Sequence, residues 1–271
     1  MTEIVAITGA ARGIGRATAL AFAEAGADLF LIDVAADIPE CPYPLGTAEQ
    51  LEASGERCRR LGAKAVTAIA DVRDAGQVDA AFARCREELG PVDVLVNNAG
   101  IVGPGGKLAH EFSEAEWATM VEVDLGGVWR CSKAVLPEMM RRRSGAIVNV
   151  SSTAGLVAFP YFANYVAAKH GVVGLTRALA LDYAPFSIRV NAICPTSVRD
   201  DPRLDSGMLH GVAGMLELPL ADYEALSLQQ HPLGSLVDAQ DVAAAVVWLS
   251  ASSARSITGA IVPIDAGFTA R

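Results

Sequence analysis

The sequence has no hydrophobic run long enough to cross a bilayer; its apolar stretches are short and broken by glycine, proline or charge. No membrane partner is expected. It lacks a basic excess as well, with 22 Lys and Arg against 31 Asp and Glu and a formal net charge of −9. A general nucleic-acid binder needs a basic face to neutralise phosphates, so that class is set aside. Cysteine is sparse: Cys41, Cys58, Cys85, Cys131 and Cys194 are scattered, odd in number and without a Cys-x-x-Cys pair. They read as reduced thiols of a cytoplasmic protein, not as a disulfide frame or zinc site. The four histidines have no metal-ligand spacing, and no metal is expected. Aromatics make up only 6%, which argues against an aromatic-rich all-β fold. An apolar strand pattern begins by Ile4 and a glycine-rich turn by Gly9, leaving no room for a cleavable signal. Neither a repeat nor a linker is visible, so residues 1–271 read as one domain.

What is abundant is glycine, with 25 residues, and apolar side chains, at 52%. Short apolar runs alternate with longer amphipathic stretches. Strands are predicted at residues 4–7, 29–32, 65–70, 92–96, 146–150, 188–193 and 260–264, and helices at 15–25, 48–61, 78–89, 114–142, 164–184 and 242–249. This alternation predicts an α/β fold: a doubly wound parallel sheet of about seven strands with helices on both faces. Two stretches break the rhythm. Residues 34–47 form a proline-bearing loop after the second strand, and residues 195–232 a long excursion after the sixth. Both follow the carboxyl end of a strand, where open α/β sheets bind ligands, and loops of this length are often functional lids.

The run from Thr8 to Gly15 joins the first strand to the first helix and spaces its glycines Gly-x-x-x-Gly-x-Gly at Gly9, Gly13 and Gly15. Such a turn lets backbone approach a pyrophosphate, and the helix N-terminus supplies free N–H groups and a favourable dipole. Any tight strand–helix connection also needs glycine. Asp33, at the end of the second strand, adds a carboxylate where the ribose hydroxyls of adenosine would lie. It would repel the 2′-phosphate of NADP, so NAD is favoured; Arg12, within the glycine-rich loop, is able to contact a phosphate and keeps NADP open. Tyr165 and Lys169 lie four apart on a predicted helix and share one face. A phenol titrates near pH 10, too high for a base at neutrality, and a neighbouring ammonium lowers that value. Ser152, after the fifth strand, is placed to hydrogen-bond a substrate oxygen.

The run Val148–Gly155 followed by Tyr165-Val166-Ala167-Ala168-Lys169 resembles the active-site signature of the short-chain dehydrogenases/reductases. Thr8–Gly15, including Arg12 and Ile14, resembles that family's glycine-rich motif, Asp71-Val72 its adenine-contacting pair, Asn97-Asn98-Ala99-Gly100 its turn after the fourth strand, Asn191–Pro195 its sixth-strand segment, and Thr258–Gly267 its last strand. The resemblance spans essentially the whole chain and implies a single Rossmann-type domain. It implies that Tyr165 moves the alcohol proton, that Lys169 holds the nicotinamide ribose and tunes Tyr165, that Ser152 rather than Ser151 orients the substrate, and that Asn98, Ala99, Gly100, Pro195 and Val198 border the cofactor.

Three features depart from the family pattern. An asparagine expected in the helix after the fourth strand is Asp124, which is expected to pair with Lys169 and weaken the lowering of the Tyr165 pKa. The Pro-Gly turn is Pro195-Thr196, and a threonine expected further along is Asp200. The insert Pro42–Thr47, with Lys169–Leu175 and Pro195–Val198, resembles the carveol-dehydrogenase-like branch, many of whose members hold NAD tightly and pass electrons to mycofactocin. By this resemblance the insert folds over the adenosine. Met208, Leu209, Val212, Met215, Leu216, Leu218 and Leu220 make the excursion an apolar lid suited to a hydrophobic alcohol or ketone. The leading expectation is therefore an NAD-dependent oxidoreductase of hydrophobic, alicyclic or terpenoid, secondary alcohols. A homodimer or homotetramer is the family expectation. The rivals are an NADPH-dependent 3-oxoacyl-thioester reductase and a catalytically silent NAD-binding protein.

Overall fold

The computed structural model describes residues 2–270. Seven strands form one parallel sheet in the order β3-β2-β1-β4-β5-β6-β7: β1 Ile4–Thr8, β2 Asp28–Asp33, β3 Ala65–Ile69, β4 Val94–Asn97, β5 Gly145–Val150, β6 Ile188–Pro195 and β7 Ile261–Ile264. The inner strands are apolar almost without break because both sheet faces are covered. Alternate side chains serve opposite cores. Ile4, Ala6, Phe30, Ile32, Leu95 and Ile147 pack on one face, and Val5, Ile7, Leu29, Leu31, Val94, Val96, Ala146 and Val148 on the other.

Helices α1 Gly13–Glu24, α2 Ala48–Arg60 and α9 Ala239–Ser250 supply buried residues to one core, and α3 Ala75–Glu88, α4 Glu114–Val121, α5 Gly127–Arg142 and α6 Ala163–Tyr183 to the other. Local caps start several of them. Thr47 and Gln50 form a reciprocal capping box on α2, Ser113 and Glu116 do so on α4, and Asp74 caps α3. The chain winds outward in both directions from the β1–β4 pair, so β1 and β4 are joined to crossovers that leave on opposite sides. The crevice at their carboxyl ends is where such sheets bind ligands.

The structure corrects two sequence expectations. The single helix predicted over 114–142 is two helices, α4 and α5, joined by one π-helical turn, Glu122–Gly126, with Asp124 inside it. Such turns concentrate at functional sites. The stretch 195–232 is not an irregular excursion: Pro195 closes β6, paired with Ile264, and the segment then builds α7 Met208–Met215 and α8 Leu220–Gln230. Nothing local to α7 announces its start. Its N-terminal N–H groups of Leu209 and His210 donate to the Asp200 carboxylate at 3.2 and 3.0 Å. Residues 34–47 form a loop without helix or strand, as expected, and Ile38 and Cys41 anchor it in a core.

Candidate active site

The glycine-rich loop is shaped by two constraints that only glycine meets. Gly9 and Gly13 have φ of +66° and +55°. A Cβ on Gly15 would lie 2.0 Å from the Gly9 carbonyl oxygen, so α1 begins in direct contact with the loop. Asn98 buttresses that loop, its side-chain amide donating to the Thr8 and Gly9 carbonyls at 3.0 Å each, while Thr8 Oγ1 accepts from the Asn98 and Ala99 backbone N–H groups. Behind it lies Arg16, fully buried. It donates to Ser54 Oγ and to the Ala11 and Gln50 carbonyls, and reaches Asp205 at 2.5 Å. Sequence reasoning missed Arg16. Its partners lie on the loop, on α2 and in the segment before α7, so nothing near it in sequence advertised them.

Asp33 is placed as expected at the end of β2. One carboxylate oxygen accepts the Ala11 N–H at 2.9 Å and the other the Ala35 N–H at 3.2 Å. Gly46 of the 34–47 segment approaches closely enough that a Cβ there would sit 3.2 Å from Asp33 Oδ1. Arg12 donates to the Pro44 carbonyl at 2.8 Å, and Tyr43 Oη accepts the Val102 N–H at 2.8 Å. The segment is thus tied across the mouth of the crevice. Tyr43 also packs against Gly211 of α7, where a Cβ would lie 3.0 Å from its ring. Asp71 and Val72 border the same space, with the Asp71 carboxylate held in a bidentate pair by Arg73.

The strongest sequence constellation does converge. A buried polar ladder positions α6. Asn97 of β4 donates to Asn149 of β5 at 2.9 Å, and Asn149 donates to Thr176 of α6 at 2.9 Å. Ser151 Oγ donates to the Lys169 carbonyl at 3.0 Å, which commits it to structure. Its neighbour Ser152 accepts the Ala154 N–H at 3.1 Å and lines the same cavity as Tyr165. Lys169 Nζ lies 5.5 Å from the Tyr165 ring centroid and 2.9 Å from Asp124 Oδ2. The expected Asp124–Lys169 pair is present, with the Asp124 side chain fully buried and that of Lys169 6% exposed. The second Asp124 oxygen accepts the Ile101 N–H at 2.9 Å.

These contacts fix the titration directions. Burial raises the Tyr165 pKa above that of free tyrosine; Lys169 opposes the rise and Asp124 adds to it. Burial works against the Lys169 charge, but Asp124 and Tyr165 outweigh it and hold the ammonium above its ordinary pKa. Burial also raises the Asp124 carboxyl, against the pull of Lys169. Cys194, at the end of β6, is pushed up to about 11 by burial and stays a thiol.

One cavity of about 300 Å³ joins all these groups, from Gly13, Asp33 and Asp71 to Ser152, Tyr165 and Pro195. Gly9, Arg12, Ile14, Val72, Ala99, Gly100, Asp124, Lys169 and Val198 also line it; Gly15 lies behind, against the loop. Beyond Tyr165 its walls are mostly apolar: Val102, Phe159, Phe162, Met208, Leu209 and Val212. At the β6 end, Val198 bridges Val237 and Thr196 Oγ1 lies 3.1 Å from Nε2 of buried His231. The sequence offered no reason to single out that histidine.

The Asp200 contact leads to a direct expectation. Asp200→Ala removes the acceptor for two N–H groups of α7 and should cost about 0.5–2 kcal/mol locally. Limited proteolysis should then cleave within residues 200–230 sooner, with the global Tm little changed. Unchanged cleavage would mean that Asp200 does not hold α7.

A family profile described as enoyl-(acyl carrier protein) reductase matches residues 9–269. The chain is 40% identical to (−)-trans-carveol dehydrogenase of Rhodococcus erythropolis, over 98% of this chain and 97% of that protein. It is also 40% identical to cis-4-hydroxycyclohexanecarboxylate dehydrogenase of Sinomonas cyclohexanicum, over 99% and 97%. The structure superposes on the crystal structure of a carveol dehydrogenase from Mycobacterium avium in complex with NAD with a TM-score of 0.92, at 36% identity over 99% of this chain and 98% of the other.

Proposed function

This chain belongs to the short-chain dehydrogenase/reductase family, and on that footing we propose that it is an NAD-dependent dehydrogenase of neutral, hydrophobic, alicyclic secondary alcohols. The observation that carries this reading is the meeting of Ser152, Tyr165 and Lys169 in a cavity with apolar outer walls. Two relatives named for alicyclic alcohols, at 40% identity each, agree with its alicyclic part; the second is named for a carboxylate-bearing alcohol, so the neutral part of the reading rests on the cavity's own charges.

NAD is the cofactor favoured by the residues. Gly9 and Gly15 let the turn pack directly against Ala99, Asn98 and itself, and Gly13 supplies a positive φ, while the α1 N-terminus complements a pyrophosphate. Arg12 and Ile14 flank that turn. Asp33 takes the adenosine ribose, Asp71 and Val72 border the adenine, and Asn98, Ala99, Gly100, Pro195 and Val198 line the path to the nicotinamide. When bound, the nicotinamide accepts hydride from the alcohol carbon. Tyr165 takes the hydroxyl proton, Ser152 holds the substrate oxygen, and Lys169 binds the nicotinamide ribose. The 195–232 segment acts as the lid that excludes water.

A neutral substrate fits the charges. Among the described residues lining the cavity, Arg12 is bound to Pro44, Lys169 to Asp124 and Arg199 to Asp238. Lys169 and Arg199 are thus compensated by carboxylates, and Arg12, whose partner is a neutral carbonyl, lies in the glycine-rich loop. The 3-oxoacyl-thioester reductase reading requires NADPH, and the Asp33 carboxylate opposes its 2′-phosphate. The intact Ser152–Tyr165–Lys169 set speaks against a silent nucleotide-binding protein. We place the enzyme in the cytoplasm, as its five buried free cysteines suggest, and expect a dimer or tetramer through α4 and α5, which expose Trp117 and Trp129.

Mass spectrometry of nucleotide released by denaturing the dialysed protein, followed by oxidation assays with carveol and substituted cyclohexanols, tests the proposal. Retained or rebound NAD with turnover of such alcohols supports it; NADPH-dependent reduction of acyl thioesters instead would replace it. Asp33→Ser should shift the ratio of kcat/KM for NADP to that for NAD upward by at least about tenfold, since even ~1.4 kcal/mol of relieved repulsion gives that factor. An unchanged ratio would remove Asp33 from cofactor selection.

A further inference from the structure

The buried pair Asp124–Lys169 has an electrostatic consequence beyond positioning. We propose that Asp124 biases this site toward the oxidised cofactor, so that NAD+ is held more tightly relative to NADH than it would be beside an uncompensated lysine. The proposal rests on the NAD reading above.

The nicotinamide ring carries a positive charge when oxidised and none when reduced. A lone buried ammonium at Lys169 would repel the first and be indifferent to the second. Here Asp124 Oδ2 stands 2.9 Å from Lys169 Nζ, so the two side chains form a neutral pair and the repulsion is largely cancelled. The arrangement is built rather than incidental. The π-turn holds Asp124, and the Ile101 N–H fixes its other oxygen at 2.9 Å. Gly100, which lines the cavity, exposes both partners: a Cβ there would lie 3.1 Å from Asp124 Oδ2 and 3.3 Å from Lys169 Nζ. Water exclusion leaves such charges poorly screened.

Among the described residues acting most strongly on Lys169, none but Asp124 supplies this compensation. The other titratable groups acting on Lys169 are Tyr165 on the same helix and Cys194 on β6. Burial keeps Cys194 a thiol, with a pKa of about 11, and raises Tyr165. From the 34–47 segment, Cys41 and Tyr43 feel Asp124, and burial raises both, so they remain neutral. Asp124 is therefore the anion that sets the charge of this end of the cavity.

The proton balance links this bias to pH. Oxidation moves hydride from the alcohol carbon to the nicotinamide and the hydroxyl proton to the Tyr165 phenolate, leaving a carbonyl. Asp124 favours the cationic ring before the step but disfavours the phenolate that must accept the proton. The two effects of one charge are separable by experiment.

The test is a redox titration of the nucleotide-loaded protein against an alcohol/ketone couple, reading bound NADH by its absorbance, in the parent and in Asp124→Asn. Asparagine keeps an acceptor for the Ile101 N–H and removes only the charge. The variant should raise the bound NADH/NAD+ ratio at a given couple about tenfold, which for a two-electron couple is about 30 mV. The rising limb of its oxidation pH profile should also move to lower pH, since Asp124 raises the Tyr165 pKa. If D124N unfolds, D124S, which likewise removes the charge, gives the same reading. A ratio unchanged within about twofold in a folded variant overturns the proposal and leaves Asp124 as a holder of Lys169. A parent protein that binds neither NAD+ nor NADH overturns the NAD reading itself, and this inference with it.

Discussion

Tyr165→Phe is expected to lower kcat for alcohol oxidation by roughly 10²–10⁴-fold, the range assigned to a positioned acid/base, while NAD binding stays within about twofold. The ring itself packs with Phe162 and Val212, and phenylalanine preserves that packing, so the loss would isolate the hydroxyl. The pH dependence has a definite sign. Burial and Asp124 raise the Tyr165 pKa, with Lys169 opposing, so the protein at neutral pH holds the phenol form. Oxidation needs phenolate and should accelerate as pH rises through the alkaline range; carbonyl reduction needs the phenol and should slow over the same range. Steady-state rates in both directions check this. Oxidation that is independent of pH, or a Tyr165→Phe variant with parental turnover of a confirmed substrate, would remove Tyr165 from the chemistry.

Gly15→Ala should weaken cofactor binding by up to about a hundredfold. A Cβ 2.0 Å from the Gly9 carbonyl oxygen cannot be relieved by turning a side chain, because the clash is with backbone. Either α1 or the loop must shift. Displacements of that kind cost on the order of 1–3 kcal/mol or more, and 3 kcal/mol is roughly a hundredfold in affinity. Calorimetry with NAD and a thermal melt read the two consequences, weaker binding and a lower Tm. Gly214→Ala is the control, since open space surrounds that glycine in α7. Parental affinity in Gly15→Ala would mean that the loop does not cradle the cofactor.

Much of this protein was legible without coordinates, for a physical reason. A parallel sheet covered on both faces forces continuous apolar strands, and βα turns at its carboxyl edge force glycines, so Ile4–Thr8 and Gly9–Gly15 declare themselves. Tyr165 and Lys169 are one helical turn apart, and helix periodicity alone places them together. Asp33 follows from its position at a strand end. The sequence by itself thus determined the α/β architecture, the glycine-rich turn after β1 and the placing of Tyr165 beside Lys169.

What depended on tertiary structure involves partners far apart in the chain. The π-turn at Asp124 disappears into a helix-forming stretch, and only packing sets Asp124 against both Ile101 and Lys169. The start of α7 is fixed by the remote Asp200 carboxylate, so local capping rules gave no warning of it. Arg16 looks like an ordinary helix arginine, yet it is buried because Ala11, Gln50, Ser54 and Asp205 converge on it from separate segments. Local propensity and spacing are written in the chain over a few residues. The charge balance of the cavity and the seating of α7 arise only when the chain closes, since each depends on which distant groups remain to satisfy a buried polar atom.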